Sequence, residues 1–358
     1  MTHRPRVGIQ SLGVFLPDQV RTNDWWPAEV VEQWRAQAAA HADKRPPPPT
    51  FDGEQRVREA MARYTDDPFQ GATQRRRMPE GMLAADMEVA AAREAITRAD
   101  IDPAAIDFVI LQSSVPDILT TNGACTIHET LGLRRTCLAL TIDAVCNGFQ
   151  QQMTLADALI GVGQAERGLL VQSCTLSRVV PDEDPVSAWV GDGATAQIVT
   201  AVGGDRGLLG FAHETDGSLQ RGLITGVPGH QWFDEGRVIA YREHPQRARE
   251  MLLRLAEFAR SSVHAALEHA ALTTTEVDFY ASHQPFAWFR PVTQAHAELD
   301  HARTLDTYSW AGSLSAANIP LVLATAEREG LLNPGDVVAT HAGGSGITWA
   351  SLVIRWGT

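Results

Sequence analysis

The chain has 358 residues, of which 44% are hydrophobic and 20% charged, a balance typical of soluble globular proteins. The formal net charge of −13 argues against nucleic acid or an anionic membrane as the main partner. No apolar run has the length that a bilayer requires, and the first residues lack the apolar core of a signal peptide, so we expect a cytoplasmic protein.

The four cysteines indicate neither a metal site nor a disulfide framework, because they lack metal-ligand spacing and the chain is long; they are Cys125, Cys137, Cys146 and Cys174. Flavin and nucleotide motifs are also missing from the sequence. The glycine-rich segment 343–346 precedes a predicted strand, whereas a phosphate-binding loop precedes a helix. We therefore expect no metal and no bound cofactor.

Apolar residues recur at spacings of two and of three to four, which predicts alternating strands and helices. In chain order we expect a strand at Val7–Leu16, a helix at Trp25–Ala40, an exposed proline-rich loop at Asp43–Asp52, a helix at Asp86–Ala99, a strand at Ile106–Gln112, a helix at Ala124–Leu131, a buried strand at Leu138–Val145 and a helix after it. We then expect strands at Gly168–Gln172, Trp189–Thr200 and Gly207–Glu214, a helix at Pro245–Ala271, a strand at Val277–Ala281, a helix at Ile319–Arg328, and strands at Asp336–Ala342 and Thr348–Arg355. This alternation predicts an α/β protein with largely parallel pairing.

The two halves of the chain resemble each other weakly. Each carries a long amphipathic helix followed by an Asp–Phe strand, at Asp107-Phe108 and at Asp278-Phe279. The alternation of predicted strands and helices begins again near residue 203. We therefore expect a duplicated fold with halves at residues 1–202 and 203–358.

Cys146 lies between a predicted strand and a predicted helix, followed by Asn147 and Gly148. The first N–H groups of the helix and the positive end of its dipole would favour the thiolate of Cys146. Such surroundings are typical of a reactive cysteine, although many free cysteines are inert packing residues.

Several stretches, taken together and in this order, resemble the β-ketoacyl synthase III group of the thiolase superfamily. They are GATQRRR at Gly71–Arg77, the strand and SSVPD at Ile106–Asp117, DAVCNGF at Asp143–Phe149, VGDGATA at Val190–Ala196, SHQPF at Ser282–Phe286, GSLSAANIP at Gly312–Pro320, and GGSGITWASLVIRW at Gly343–Trp356. The resemblance covers the chain from about residue 65 onward. Residues 41–64 resemble a branch-specific insertion in the first half.

The resemblance implies a five-layered αβαβα thiolase fold made of two duplicated halves, and a homodimer. It implies that Cys146 is the nucleophile that carries the acyl group and that His283 is its catalytic partner. It also implies an oxyanion hole formed by the backbone N–H groups of Cys146 and Ser345. The donor would be an acyl thioester of coenzyme A or of an acyl carrier protein.

These implied roles agree with elementary acyl chemistry. A cysteine nucleophile divides acyl transfer into two easier steps, and backbone N–H groups stabilise the oxyanion of each. His283 follows a predicted strand, where it would act as a base towards an acceptor or donate a hydrogen bond to a second oxyanion. Among twelve histidines most are ordinary loop or core residues, and the Ser-His-Gln-Pro context distinguishes His283.

The sequence departs from the family pattern at Ser313. Condensing members have an asparagine there, in a G-N-T-S-A-A-S-I-P segment, and use it with the histidine to stabilise the enolate formed as CO2 leaves. Ser313 has a shorter side chain, so we expect weaker enolate stabilisation. Asn318 lies five residues further on, where a helix-capping or turn role is expected.

We therefore predict an acyltransferase that passes the acyl group to an alcohol, an amine or a carrier-bound acceptor in natural-product biosynthesis. Decarboxylative condensation and starter-unit loading remain the alternatives. A thioesterase and a non-catalytic partner subunit are further possibilities, the latter disfavoured because both Cys146 and His283 are retained.

Other candidates have simpler explanations beside the functional one. Arg75, Arg76 and Arg77 either form a basic entrance for the pantetheine or carrier, or are a solvated run of charge. Asp192 in the Gly-Asp-Gly turn is expected to be structural. Trp349 and Trp356 are expected to be packing residues.

Overall fold

The computed structural model describes residues 4–42 and 48–357. Within this part of the chain the strands are β1 Arg6–Phe15, β2 Val20–Thr22, β3 Gln74–Arg76, β4 Phe108–Ser113, β5 Leu138–Thr141, β6 Arg167–Cys174, β7 Gly193–Val202, β8 Gly207–Thr215, β9 Ile224–Gly226, β10 Ile239–Tyr241, β11 Phe279–Ser282, β12 Val337–Gly344 and β13 Thr348–Arg355. The helices are α1 Ala28–Ala42, α2 Asp52–Ala62, α3 Ala84–Ala99, α4 Ala124–Leu131, α5 Gly148–Gly161, α6 Pro245–Leu253, α7 Leu255–His269, α8 Phe289–His296, α9 Tyr308–Ala311 and α10 Asn318–Arg328.

Two sheets form the centre of the molecule. The first has the order β1-β7-β6-β4-β5 and uses strands up to Val202; the second has the order β11-β12-β13-β8 and uses strands from Gly207 onward. Strand β4 is parallel to β5 and β6, and β11 is parallel to β12, whereas the remaining pairs of these two sheets are antiparallel. The α/β class is confirmed, but the expectation of largely parallel pairing was wrong. Strands β12 and β13 form a hairpin, whereas the antiparallel pairs β1–β7 and β8–β13 join strands that lie far apart in the chain.

The two Asp–Phe strands occupy equivalent places in the two sheets. The N–H of Asp107 donates to the carbonyl of Arg167 at 2.9 Å, and the N–H of Asp278 donates to that of Val337 at 2.9 Å. In return, each aspartate accepts a hydrogen bond from the N–H of that same residue through Oδ2. The same local arrangement therefore starts β4 and β11, as a duplicated fold requires.

Helices fill three layers around the two sheets. Helix α3 packs on the outer face of the first sheet, α5 and α10 lie between the sheets, and α7 packs on the outer face of the second. Strand β4 shows how the sequence specifies this: Phe108 and Ile110 join the central core, while Val109 and Leu111 face α3. The result is the five-layered αβαβα arrangement. Each fully buried side chain of this size contributes about 1.5–3 kcal/mol.

The apolar run before Cys146 is shorter as a strand than predicted. Strand β5 ends at Thr141 and is partly exposed, because it is the edge strand of the first sheet. The remaining residues of the run leave the sheet and lead to the turn that carries Cys146.

Two helical predictions also need correction. The segment predicted as one helix at Pro245–Ala271 is two helices, α6 and α7, which are separated at Arg254. Helix α2 was not predicted, because its polar sequence hides a short apolar stripe that includes Val57 and packs against α7. Of the predicted proline-rich loop, residues 43–47 lie outside the described residues and residues 48–51 are exposed.

Candidate active site

Cys146 is the middle residue of a 3₁₀ turn, Val145–Asn147, and α5 begins directly after it at Gly148. Val145 has a φ of 49°, in the left-handed region that β-branched residues rarely occupy. A Cβ at position 148 would lie 2.6 Å from Cγ of Gln112, so only glycine allows this approach. The predicted strand–turn–helix around Cys146 is therefore present, with a strained residue directly before the thiol.

The protonation of the Cys146 thiol differs from the favoured thiolate that we expected from its place at the start of a helix. Protein atoms crowd around the sulfur of Cys146, and this burial raises the pKa of the thiol to about 11. Cys146 is therefore a protonated thiol at neutral pH, and the prediction of a favoured thiolate was wrong for the enzyme without substrate.

Gln112 supports the loop that leads to Cys146. Its Oε1 accepts a hydrogen bond of 2.7 Å from the N–H of Ala144, and Gln112 is buried at the end of β4. Gln112 was not among the residues predicted from the sequence. A polar side chain that ends a buried parallel strand was the signal that could have revealed it.

The glycine-rich segment lies against the backbone of Cys146. A Cβ at Gly344 would be 3.0 Å from the carbonyl oxygen of Ala144 and 3.3 Å from the nitrogen of Cys146. Asn147 donates through Nδ2 to Oγ1 of Thr348 at 3.1 Å, a second link to this segment. Ser345, the predicted second donor of the oxyanion hole, is the residue after Gly344.

His283 directly follows β11, and its N–H donates to the carbonyl of His341 in β12 at 2.9 Å. Its imidazole is buried, which lowers the pKa of His283 to about 3. The Nε2 atom lies 3.3 Å from Oγ of Ser313. The structure thus brings together the two C-terminal residues that the sequence analysis singled out, and the imidazole is neutral at physiological pH.

Ser313 is held by the Gly-Asp-Gly segment. Its N–H donates to the carbonyl of Trp189 at 2.7 Å, and its carbonyl accepts from the N–H of Gly191 at 3.0 Å. Gly312 before it has a φ of 72° and no room for a side chain beside Gly191. The position of Ser313 is therefore determined by main-chain contacts between the two halves.

Asp192 is structural, as predicted. Its buried carboxyl accepts hydrogen bonds from the N–H of Met78 at 2.8 Å and from Oγ of Ser177 at 2.6 Å. Asn318 also has the expected turn role, since its Oδ1 accepts from the N–H of Leu314 at 3.0 Å. This bond closes the turn between Ser313 and α10.

Two further residues at the site were missed. Ser315 places its Oγ 3.4 Å from Sγ of Cys146. Gln284 accepts from the N–H groups of Thr307 and Tyr308 at 2.9 and 3.1 Å, and so ties the strand end that carries His283 to the segment that leads to Ser313. Ser315 lies in the motif that contains Ser313, and Gln284 directly follows His283 in its motif.

Arg75 belongs neither to a basic entrance nor to a solvated run of charge. Arg75 is only 1% exposed, and its guanidinium donates to the carbonyl of Ala188 at 2.9 Å and lies over the ring of Trp26. Arg76 donates to the carbonyl of Pro17, and Arg77 is 3.6 Å from Asp182. Because Arg75 is committed to main-chain and aromatic partners, it is a structural residue.

The two C-terminal tryptophans pack as predicted. Trp349 stacks on Phe258 with 4.1 Å between ring centroids, and Trp356 is a buried part of the central core. In residues 4–42 and 48–357, His, Cys, Asp and Glu side chains form no group of three or more that could hold a metal ion. Over the same ranges, none of the helices combines the length and apolar character needed to cross a bilayer.

Comparison with known proteins identifies the family. Residues 140–217 match the family model of 3-oxoacyl-[acyl-carrier-protein] synthase III, and residues 267–356 match the model of its C-terminal domain. The β-ketoacyl-[acyl-carrier-protein] synthase III of Paracoccus denitrificans is 33% identical over 299 residues, covering 80% of this chain and 88% of that protein. The chain belongs to the β-ketoacyl-acyl-carrier-protein synthase III family. A second synthase III, from Cereibacter sphaeroides, is 31% identical over 313 residues, covering 83% of this chain and 93% of that protein.

Solved structures agree with this membership. The synthase III of Aquifex aeolicus superposes with a TM-score of 0.78 at 25% identity, covering 98% of this chain and 100% of that one. OleA of Xanthomonas campestris superposes with a TM-score of 0.77 at 20% identity over 98% of this chain and 97% of that one, a likeness of fold. The protein is thus a synthase III-like, acyl-transferring enzyme with the thiolase fold, as the sequence motifs predicted.

Proposed function

We propose that this synthase III-like enzyme loads an acyl group from a thioester onto Cys146 and transfers it to an alcohol or amine without forming a carbon–carbon bond. The observation that carries the proposal is the pair of Ser313 and His283, 3.3 Å apart. The motif comparison sets Ser313 where condensing members have an asparagine. A hydroxyl that is occupied by the imidazole is a poor replacement for an amide aimed at an enolate.

In the first half-reaction, Sγ of Cys146 attacks the thioester carbonyl. The thiol proton leaves with the donor's sulfur, and the carbonyl oxygen carries the negative charge of the tetrahedral intermediate. The N–H groups of Cys146 and Ser345 are the proposed donors to that oxygen, each worth on the order of 3 kcal/mol. The close approach of Gly344 to the nitrogen of Cys146 supports this arrangement.

In the second half-reaction, the acceptor oxygen or nitrogen attacks the acyl carbonyl. Its proton moves to Nε2 of His283, which is neutral and therefore able to accept it. When the intermediate collapses, the C–S bond breaks and the imidazolium returns the proton to the sulfur of Cys146. Before the acceptor binds, Ser313 holds the ring of His283 in position through Nε2.

Decarboxylative condensation is the second candidate. It is favoured by the relatives' names, which are β-ketoacyl-[acyl-carrier-protein] synthase III. This chain matches those relatives over most of their length. In that reaction the C2 carbanion formed as malonyl thioester loses CO2 would attack the acyl group on Cys146. The same enzyme could then serve fatty-acid-like or polyketide biosynthesis, including starter-unit loading.

We propose carrier-protein thioesters as donors because the relatives' names include the acyl carrier protein. Coenzyme A thioesters are the alternative proposed donors. A carrier protein is acidic and needs positive surface, which Arg75 does not supply. Exposed arginines at Arg237, Arg242 and Arg249 lie on and before α6 and have no acidic partner in the described residues. We therefore propose that the surface formed by these three arginines, and not the run Arg75–Arg77, faces the carrier protein.

We also propose a homodimer. Strand β5 is the edge strand of the first sheet, and Leu138 on it is 49% exposed. Ile118 and Leu119, in the loop after β4, are 60% and 68% exposed. An apolar edge of this kind favours pairing with a second copy. Light scattering of the wild type and of Leu138→Lys would test this assignment.

The decisive experiment uses intact-protein mass spectrometry after incubation with simple acyl and malonyl thioesters. The expected result is one acyl adduct, absent in Cys146→Ala, that is discharged by a nucleophilic acceptor. Rapid CO2 release from malonyl thioester with a 3-oxoacyl product would favour condensation instead. Discharge by water alone would indicate a thioesterase, and absence of any adduct would contradict every enzymatic proposal for Cys146.

A further inference from the structure

Ser315 is the residue that contacts the sulfur of Cys146. Its Oγ lies 3.4 Å from Sγ, and the residue is 1% exposed. In the described part of the chain, this is the one hydrogen bond that reaches that sulfur. Ser315 therefore differs from Ser313, two residues earlier, whose hydroxyl contacts His283.

The backbone at Ser315 is unusual in the same way as the backbone beside Cys146. Ser315 has a φ of 51° and begins the 3₁₀ turn Ser315–Ala317 ahead of α10. Val145, with a φ of 49°, begins the 3₁₀ turn ahead of α5. Residues other than glycine seldom occupy this region, and such outliers concentrate at functional sites. Here the unusual backbone directs the hydroxyl of Ser315 at the thiol.

The surroundings of the sulfur explain why a donor is needed there. Burial disfavours a negatively charged sulfur, and the hydroxyl of Ser315 acts in the opposite direction. Negative charge develops on the sulfur when it attacks the thioester and again when it leaves the acyl group. A neutral donor at 3.4 Å can stabilise both events.

We propose that Ser315 is a further catalytic residue, whose O–H donates a hydrogen bond to the sulfur of Cys146 each time that sulfur carries negative charge. Ser315 keeps its own proton throughout, and no bond to it forms or breaks. The proposal rests on Cys146 as the nucleophile of the proposed function. It applies equally to acyl transfer and to condensation, because both begin with the same attack.

The test measures thiolate reactivity without any acyl donor. The rate at which Cys146 is modified at pH 8 is followed by peptide-resolved mass spectrometry, which separates Cys146 from the exposed Cys125. Two reagents of different size and chemistry are used, iodoacetamide and methyl methanethiosulfonate. Ser315→Gly removes the hydroxyl and suits the left-handed backbone, and Ser315→Ala removes it while keeping Cβ.

We expect both Ser315 variants to slow modification by roughly tenfold, and by the same factor with each reagent, because the thiolate fraction falls. Ser309→Ala is the matched control, since its hydroxyl lies in the same segment but donates to Asp306. An unchanged rate in a folded variant would overturn the proposal. A factor that differs between the reagents would do the same, because it would indicate altered access. Failure of acyl loading in the wild type would instead contradict the proposed function.

Discussion

The hydroxyl of Ser313 lies 3.3 Å from Nε2 of His283, and both groups are buried. The imidazole therefore has a protein partner at the nitrogen that would receive the acceptor's proton. An acceptor hydroxyl or amine must displace or share this contact. Under the proposed function, His283 serves as the base, and the Ser313 hydroxyl lies where condensing members are expected to have an amide donor.

Ser313→Asn is expected to raise decarboxylative condensation more than self-acylation. The amide reaches further than the hydroxyl and can donate towards an enolate, whereas loading of Cys146 does not use it. CO2 release from malonyl thioester and the rate of adduct formation would be measured in parallel. Equal changes in both rates would show that Ser313 does not occupy the asparagine position.

Gly344→Ala is expected to slow loading of Cys146 by one to two orders of magnitude, because a Cβ there would lie 3.3 Å from the nitrogen that we assign to the oxyanion hole. Gly343→Ala is the control. The nearest atoms to its Cβ would be 3.8 and 3.9 Å away, which is ordinary contact. Adduct formation by mass spectrometry checks both variants. A similar loss in Gly343→Ala would point to general damage to β12.

The rate of Cys146 alkylation is expected to rise about tenfold per pH unit between pH 6 and pH 9. Burial raises the pKa of the thiol to about 11, so the thiolate fraction grows throughout this window. Burial also lowers the pKa of His283 to about 3, so the imidazole stays neutral and adds no inflection near pH 6.5. A plateau reached by pH 7 would contradict the assigned resting state.

Glu88→Gln is expected to stabilise the fold more at pH 8 than at pH 5. Burial raises the pKa of Glu88 from 4.5 to about 7, so the folded state binds more protons than the unfolded state between these values. Stability is therefore lost as pH rises through 7, by on the order of 2–3 kcal/mol, and glutamine does not ionise. Its amide oxygen can still accept the hydrogen bond of Ser173.

The measurement for Glu88→Gln is thermal unfolding at both pH values. Glu59→Gln, on the exposed face of α2, is the control and should change the melting temperature equally at each pH. A uniform effect of Glu88→Gln would mean that its carboxyl does not titrate on unfolding.

The sequence alone predicted the position of an element or a site residue where a clear periodicity or a recognised motif was present. Helix α4 begins and ends at Ala124 and Leu131, as predicted, and the Cys146 turn and the strand end at His283 lie where their motifs indicated. Helix α4 depends mainly on contacts along its own segment, and the other two features belong to short continuous motifs. Local patterns record such contacts well.

The remaining features depend on partners distant in the chain. The sequence shows an arginine at position 75 but not whether its side chain faces solvent or Trp26. That depends on the fold. The bond from Ser315 to Cys146 joins residues 169 positions apart. The raised pKa of the Cys146 thiol likewise comes from surrounding atoms that no single segment supplies.

The 3₁₀ turns that begin at Val145 and Ser315 lead into the two inner helices, and a Cβ at Gly148 would lie 3.2 Å from that of Ala316. These turns are counterparts in the duplicated halves, and they touch where the halves meet. In a symmetric pair of identical chains, such a turn would face its own copy and would have to serve both roles at once. In this single chain the two turns differ in sequence, so Cys146 on one and Ser315 on the other can take the two different roles proposed above.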